Sequence, residues 1–182
     1  MDSLYAFGID AGVDTLTSWM RAVSLCAPRI RGGQALLIGE TDPTLAQSLM
    51  LWNSTVLAQT ELREREQTAL PPVFAAACVW GRRDAVKVTL ERIGALGGGD
   101  LSAIETTEGM LPSVLGPVPI PQPRTIDSRE LEGTADRVKA VVRVPQSRRG
   151  ELALRLRSAS ARHVAARESG ELRFQLDPKE RI

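Results

Sequence analysis

Histidine occurs once and cysteine twice in this chain of 182 residues. Tetrahedral zinc sites draw their ligands mostly from Cys and His. His163, Cys26 and Cys78 cannot complete one, so no metal is expected. Each cysteine sits in an apolar run, far from the other in sequence, and the favoured reading is two buried thiols in a reducing compartment. No apolar stretch reaches the roughly 18 residues of a membrane span. The N-terminus, Met1-Asp2-Ser3-Leu4-Tyr5, lacks the basic start of a secretory signal. These absences predict a soluble, cytoplasmic protein with no membrane partner. Aromatic residues make up only 4 % of the chain, so its core must be mostly Leu, Val, Ile and Ala. No Gly-x-Ser-x-Gly elbow accompanies His163, and no glycine loop ends in Gly-Lys-Ser/Thr. An enzyme is therefore the less favoured class, and no cofactor is expected.

What the chain does have is an uneven distribution of charge. Lys+Arg number 23 and Asp+Glu 22, but 14 of the basic and only 9 of the acidic residues lie from Arg124 onward. A mildly acidic front thus precedes a basic tail. Pro112, Pro117, Pro119, Pro121 and Pro123 stand at the junction, where they predict an extended, stiff segment. The expected organisation is an acidic α/β domain over 1–110, a Pro-rich linker or strap over 111–125, and a basic strand–helix–strand unit over 126–182 packed on the first.

Hydrophobic periodicity supplies the elements. Strands are expected at Leu4–Ile9, Ala35–Gly39, Val73–Trp80, Leu101–Thr107, Val138–Val144 and Leu172–Leu176. Helices are expected over Asp14–Ala27, from Asp42, and from Asp84 with Val86, Leu90 and Ile93 inward. Asp42 followed by Pro43 is an N-cap and a first helical residue. Leu45, Leu49, Trp52 and Val56 then share one face, and Glu61–Gln67 frays into solvent. Residues 151–169 carry both a helical composition and an alternation of leucines. Helix is preferred, with Gly170 as its cap. Strands alternating with helices predict an α/β or α+β protein, with a split βαβ (ferredoxin-like) sandwich as the first choice.

The candidate sites are few. Phe7-Gly8-Ile9-Asp10-Ala11-Gly12 resembles the first phosphate-loop strand of the actin, Hsp70 and sugar-kinase superfamily. That resemblance implies that Asp10 helps hold magnesium and phosphate. It covers six residues, the hairpin that follows in that family is missing, and the chain is much shorter than those two-lobed proteins. Gly8 and Gly12 are therefore preferred as turn or packing residues. Gly97-Gly98-Gly99-Asp100 follows a helix instead of preceding one, which favours a connector. Glu105 and Glu108 form the most plausible carboxylate pair, and His163, beside Arg162 and Arg167, is expected to be solvated or at a rim. Trp19, Trp52 and Trp80 are expected in the core, an exposed one marking a contact surface.

Arg148, Arg149, Arg155, Arg157, Arg162 and Arg167 are the strongest electrostatic feature, with Glu151 the only acid between the first and last. They are the candidate binding residues. Without an interleaved aromatic they are read first as a structural or protein-interface cluster, pairing with acids of the acidic front, and second as a phosphate-binding surface for nucleic acid. The expected function is accordingly a non-catalytic protein that binds other subunits or assembles with itself. The first alternative is a nucleic-acid-binding accessory protein using these arginines. The second is a small-ligand or phosphate-binding enzyme or sensor near Asp10, the Gly97 loop and Glu105.

Overall fold

The computed structural model describes residues 10–120 and 136–178. The expected strand Leu4–Ile9 lies outside the described residues, as do Pro121 and Pro123. The chain divides into two compact units, one ending at Glu64 and the other beginning at Arg65.

The first unit is helical. Helix α1 spans Ala11–Ser24, α2 Pro43–Met50, and α3 begins at Thr55 and runs to Gln67 across the division. Asp42 caps α2 as its sequence predicts: its Oδ1 accepts from the N–H of Thr44 at 2.7 Å and of Leu45 at 3.1 Å. The helix stops at Met50 because Trp52 takes a positive φ of 52°. Trp52 and Val56 therefore do not continue one face with Leu45 and Leu49, and Glu61–Gln67 is helical, not frayed. Leu16, Leu45 and Leu57 make a small core, with Trp19, Met20 and Leu49 against it. Ala35–Gly39 forms no strand. A strand needs a partner for its backbone groups, and among the described residues this segment has none. Cys26 is exposed, contrary to expectation, whereas Cys78 is buried.

The second unit is built on a four-stranded antiparallel sheet. Its strands are β1 (Phe74–Arg82), β4 (Val114–Pro119), β5 (Arg137–Pro145) and β6 (Leu172–Leu176), in the spatial order β4-β5-β1-β6. Helix α4 (Arg83–Arg92) follows β1, and α5 (Arg149–Ala165) follows β5. The crossover β1–α4–β4 brackets β5, and β5–α5–β6 brackets β1. A hairpin of β2 (Ala103–Thr106) and β3 (Gly109–Pro112) precedes β4. Strands and helices are thus mixed, as the composition predicts, in an α+β arrangement.

Alternation decides which side is buried. Ala75, Ala77 and Val79 of β1 lie opposite Val144, Val142 and Ala140 of β5. All six pack with Val86, Leu90 and Ile93 from the α4 region and with Leu152, Leu156 and Ala159 of α5. Gly81 pairs with Leu172 at the start of β6, and a Cβ there would lie 1.9 Å from the carbonyl oxygen of Glu171.

Part of the Pro-rich stretch is sheet. Val114–Pro119 pairs with β5, with an irregular register between Leu115 and Val118. Prolines lack a donor and are tolerated on an edge strand, where one side of the backbone has no neighbour. Arg143 is buried on the sheet side away from the helices. It donates to the carbonyls of Thr68 and Pro112, and burial lowers its pKa.

Candidate functional site

Residues 149–165 form the helix α5, which settles the two patterns overlaid in that segment. Leu152, Leu156, Ala159 and His163 recur at helical spacing and are buried. Leu154, the middle of the apparent alternation, is 68 % exposed. The helix ends at Ala165, and the left-handed residue after it is Arg167 at φ 50°. Gly170 is therefore not the cap. It lies further on, and a Cβ there would press on the Arg82 side chain at 2.9 Å.

The six candidate arginines separate into two groups. Arg148 donates through Nε to Glu151 Oε2 at 2.7 Å and through Nη2 to Asp100 Oδ2 at 2.6 Å. Arg155 grips both oxygens of Asp100 at 2.7 Å, reaches Glu151 as well, and donates to the Ile93 carbonyl at 2.8 Å. Arg149 pairs with Asp177 at 2.6 Å. The guanidinium groups of Arg155 and then Arg148 hold the Asp100 carboxyl well below the usual carboxylate range. Arg148, and to a lesser extent Arg155, lower Glu151. In return the carboxylates raise the pKa of Arg148, Glu151 contributing most.

Arg157, Arg162 and Arg167 are exposed and make no ion pair among the described residues. Arg162 also borders a cleft of about 210 Å³ together with Arg92, Arg155, Ser158 and Ala159.

Sequence reasoning named Asp100 only as part of a glycine connector, and missed Arg92 and Glu168. Asp100 ends the glycine connector after α4 and stands 48 and 55 residues from the arginines it neutralises, so no local pattern announces it. The connector turns at Gly94, φ 78°, where an L side chain is disfavoured. Arg92 and Glu168 form a two-point pair. Glu168 also meets His163 Nδ1 at 3.0 Å, while Nε2 faces the Gly170 carbonyl at 2.9 Å. His163 is thus 7 % exposed and not solvated, because the core stripe of α5 carries it inward. Arg92 first, and His163 second, lower the Glu168 pKa through hydrogen bonds to its ionised form.

The other candidates are distributed over the two units. Asp10 precedes α1, and Ala11 and Gly12 lie inside that helix, so the phosphate-loop resemblance has no strand–turn counterpart among the described residues. Glu105 and Glu108 are exposed on the β2–β3 hairpin of the second unit, whereas Asp10 belongs to the first. Among the described residues no group of three or more His, Cys, Asp or Glu is placed to hold a metal ion. None of their helices is long and apolar enough to cross a membrane.

Residues 66–179 match the family model of the Primosomal protein N C-terminal domain. The chain belongs to this family. The match begins two residues beyond Glu64 and so coincides closely with the second unit. The Probable replication restart protein PriA of Mycobacterium leprae is 31 % identical over 175 residues, covering 92 % of this chain and 24 % of that protein. The protein of the same name from Mycobacterium tuberculosis (strain H37Rv) is 29 % identical over 172 residues, covering 92 % of this chain and 25 % of its own length. The chain therefore spans about a quarter of the length of the curated relatives it matches.

Proposed function

We propose that the second unit is a DNA-binding accessory domain of a replication-restart protein, arranged as a ferredoxin-like sandwich. Arg157, Arg162 and Arg167 contact the phosphate backbone. The observation that carries this reading is that these three exposed cations have no carboxylate partner among the described residues, in a chain whose relatives bear a replication-restart name. Arg157 and Arg162, five residues apart, stand on two flanks of the exposed surface of α5, and Arg167 follows the helix end. Arg148, Arg149 and Arg155 act differently. Their carboxylate partners hold the helix to the rest of the unit, and they position the contacting residues without touching the nucleic acid themselves.

Cations that neutralise phosphates release condensed counterions, so affinity falls with salt by about 0.9 log units per contact per decade for duplex DNA. Binding of a labelled DNA duplex, followed by fluorescence anisotropy between 50 and 200 mM salt, tests the reading. The triple change Arg157→Ala, Arg162→Ala, Arg167→Ala is expected to lower the salt slope by about 2 to 3 with the melting temperature unchanged. No binding at 50 mM, or an unaltered slope, overturns it.

A protein-binding role has its own support in the first unit. Leu25, Ile30, Leu36, Ile38 and Met50 are each more than four-fifths exposed, an excess of exposed apolar side chains that a partner surface would cover. Light scattering on the eluting chain at low and high salt tests self-association: a strict monomer in both removes it.

A further inference from the structure

The sheet of the second unit has a side turned away from α4 and α5; it is buried at Phe74, Ala76, Cys78, Val141 and Arg143, but its end around Trp80 carries cations. Because Val79 points toward the helices, Trp80 points to the opposite side. Its cross-strand partners are Lys139 on β5 and Arg173 on β6. Directly opposed residues of antiparallel strands project on the same side, within reach of one another. One row across the sheet is therefore Val118, Lys139, Trp80 and Arg173. The neighbouring row holds Arg82 opposite Arg137. A half-buried tryptophan thus stands with cations on both sides. Val118 is 61 % exposed, and the Arg173 side chain is 69 % exposed despite its 2.9 Å pair with Glu171. Glu171 also engages Arg137 at 2.8 Å, so one carboxylate is shared between two guanidinium groups on this side.

From this juxtaposition we infer that the outer sheet face around Trp80 is a stacking platform for the unpaired bases of single-stranded DNA. A planar indole offers its face to any base, and flanking cations track the phosphates on either side. Aromatic stacking combined with a positive track is how single strands are bound without reading sequence. A duplex keeps its bases stacked internally and has none to offer. Charge complementarity selects the occupant: an apolar protein partner would have to desolvate Lys139, Arg82 and Arg173, whereas a polyanion exchanges water for ionic contacts. The proposal rests on the DNA-binding reading above and adds a second surface with a different preference. The α5 arginines serve any backbone, and the Trp80 face distinguishes single from double strand.

The test uses the full chain with Trp19→Phe and Trp52→Phe, leaving Trp80 as its only indole. Titration with a twenty-residue oligothymidylate is expected to quench its fluorescence to saturation, and a duplex of equal length to leave it nearly unchanged. Trp80→Ala is expected to weaken single-strand binding about tenfold or more, with duplex affinity kept. Trp80→Phe should recover part of the loss. Arg173→Ala, at an exposed position, supplies a variant that does not depend on the tolerance of β1 and should weaken single-strand binding several-fold. If both DNAs bind but neither Trp80 fluorescence nor these variants distinguish them, the platform is wrong while the α5 reading stands. If the oligothymidylate binds through Trp80 and the α5 triple variant is without effect, the platform stands and the α5 reading falls. Binding of neither DNA overturns both.

Discussion

Among the described residues, the first unit leaves most of its large apolar residues in solvent, whereas the second encloses most of its own. In the first, three leucines are buried among the described residues, while Leu25, Ile30, Leu36 and Ile38 stand more than four-fifths exposed. In the second, alternate residues of β1 and β5 meet two helices, and Val79, Val86, Leu90, Val138, Val142, Leu152 and Leu156 are all inaccessible. Both segments contain amphipathic helices. The difference is that the second supplies a facing layer of sheet. A helix gains most of its stability in a protein from packing its apolar stripe against such a layer and little from propensity. The family boundary follows the same division, beginning at residue 66.

Truncation inside each core is the strongest way to break this contrast. Leu156→Ala in the second unit is expected to cost about 2–5 kcal/mol, read as a lowered urea midpoint. Leu45→Ala, in the smaller cluster, is expected to cost less because its neighbours can close around the gap. Equal losses would mean that the first unit has a core as well determined as the second.

Acid sharpens the contrast next. Asp100, Glu151 and Glu168 all have lowered pKa values in the folded protein. Their ionised forms therefore add stability that is complete above the unfolded carboxylate range near pH 4 and is lost as pH falls through the folded values. The urea midpoint of the second unit should decline from about pH 4 downward. Asp100→Asn should start lower at neutral pH and decline less. A variant with the wild-type acid profile would show that the Arg148–Asp100–Arg155 network does not contribute.

The smallest effect is expected where side chains are already in solvent. Leu36→Ser and Ile38→Ser should each change stability by less than about 0.5 kcal/mol while reducing aggregation. A larger loss would mean that these residues are covered in solution.

Periodicity made much of the second unit legible in advance. The buried runs at Val73–Trp80 and Val138–Val144, and the inward Val86, Leu90 and Ile93, are where the spacing puts them. The Asp42–Pro43 helix start was legible because a cap is a local interaction between neighbours. Ala35–Gly39 was not, since a strand exists only through a partner that its own residues do not specify. His163 was misread for a related reason: its charged neighbours in sequence point elsewhere on the helix, while its place on the Leu152–Leu156–Ala159 stripe carries it inward. The six arginines could be seen as a cluster, but which of them are neutralised and which have no ion pair among the described residues depends on Asp100 and Asp177, which lie far from them along the chain.

The order of hydrophobic and polar residues by itself determined where the helices and most strands of the second unit form and which of their sides is apolar, because those preferences act over a few residues. Only the tertiary structure decided which charges cancel and which remain, and it alone set Trp80 between Lys139 and Arg173. Electrostatic pairing and stacking depend on distance in space, and the residues that meet here come from three separate strands.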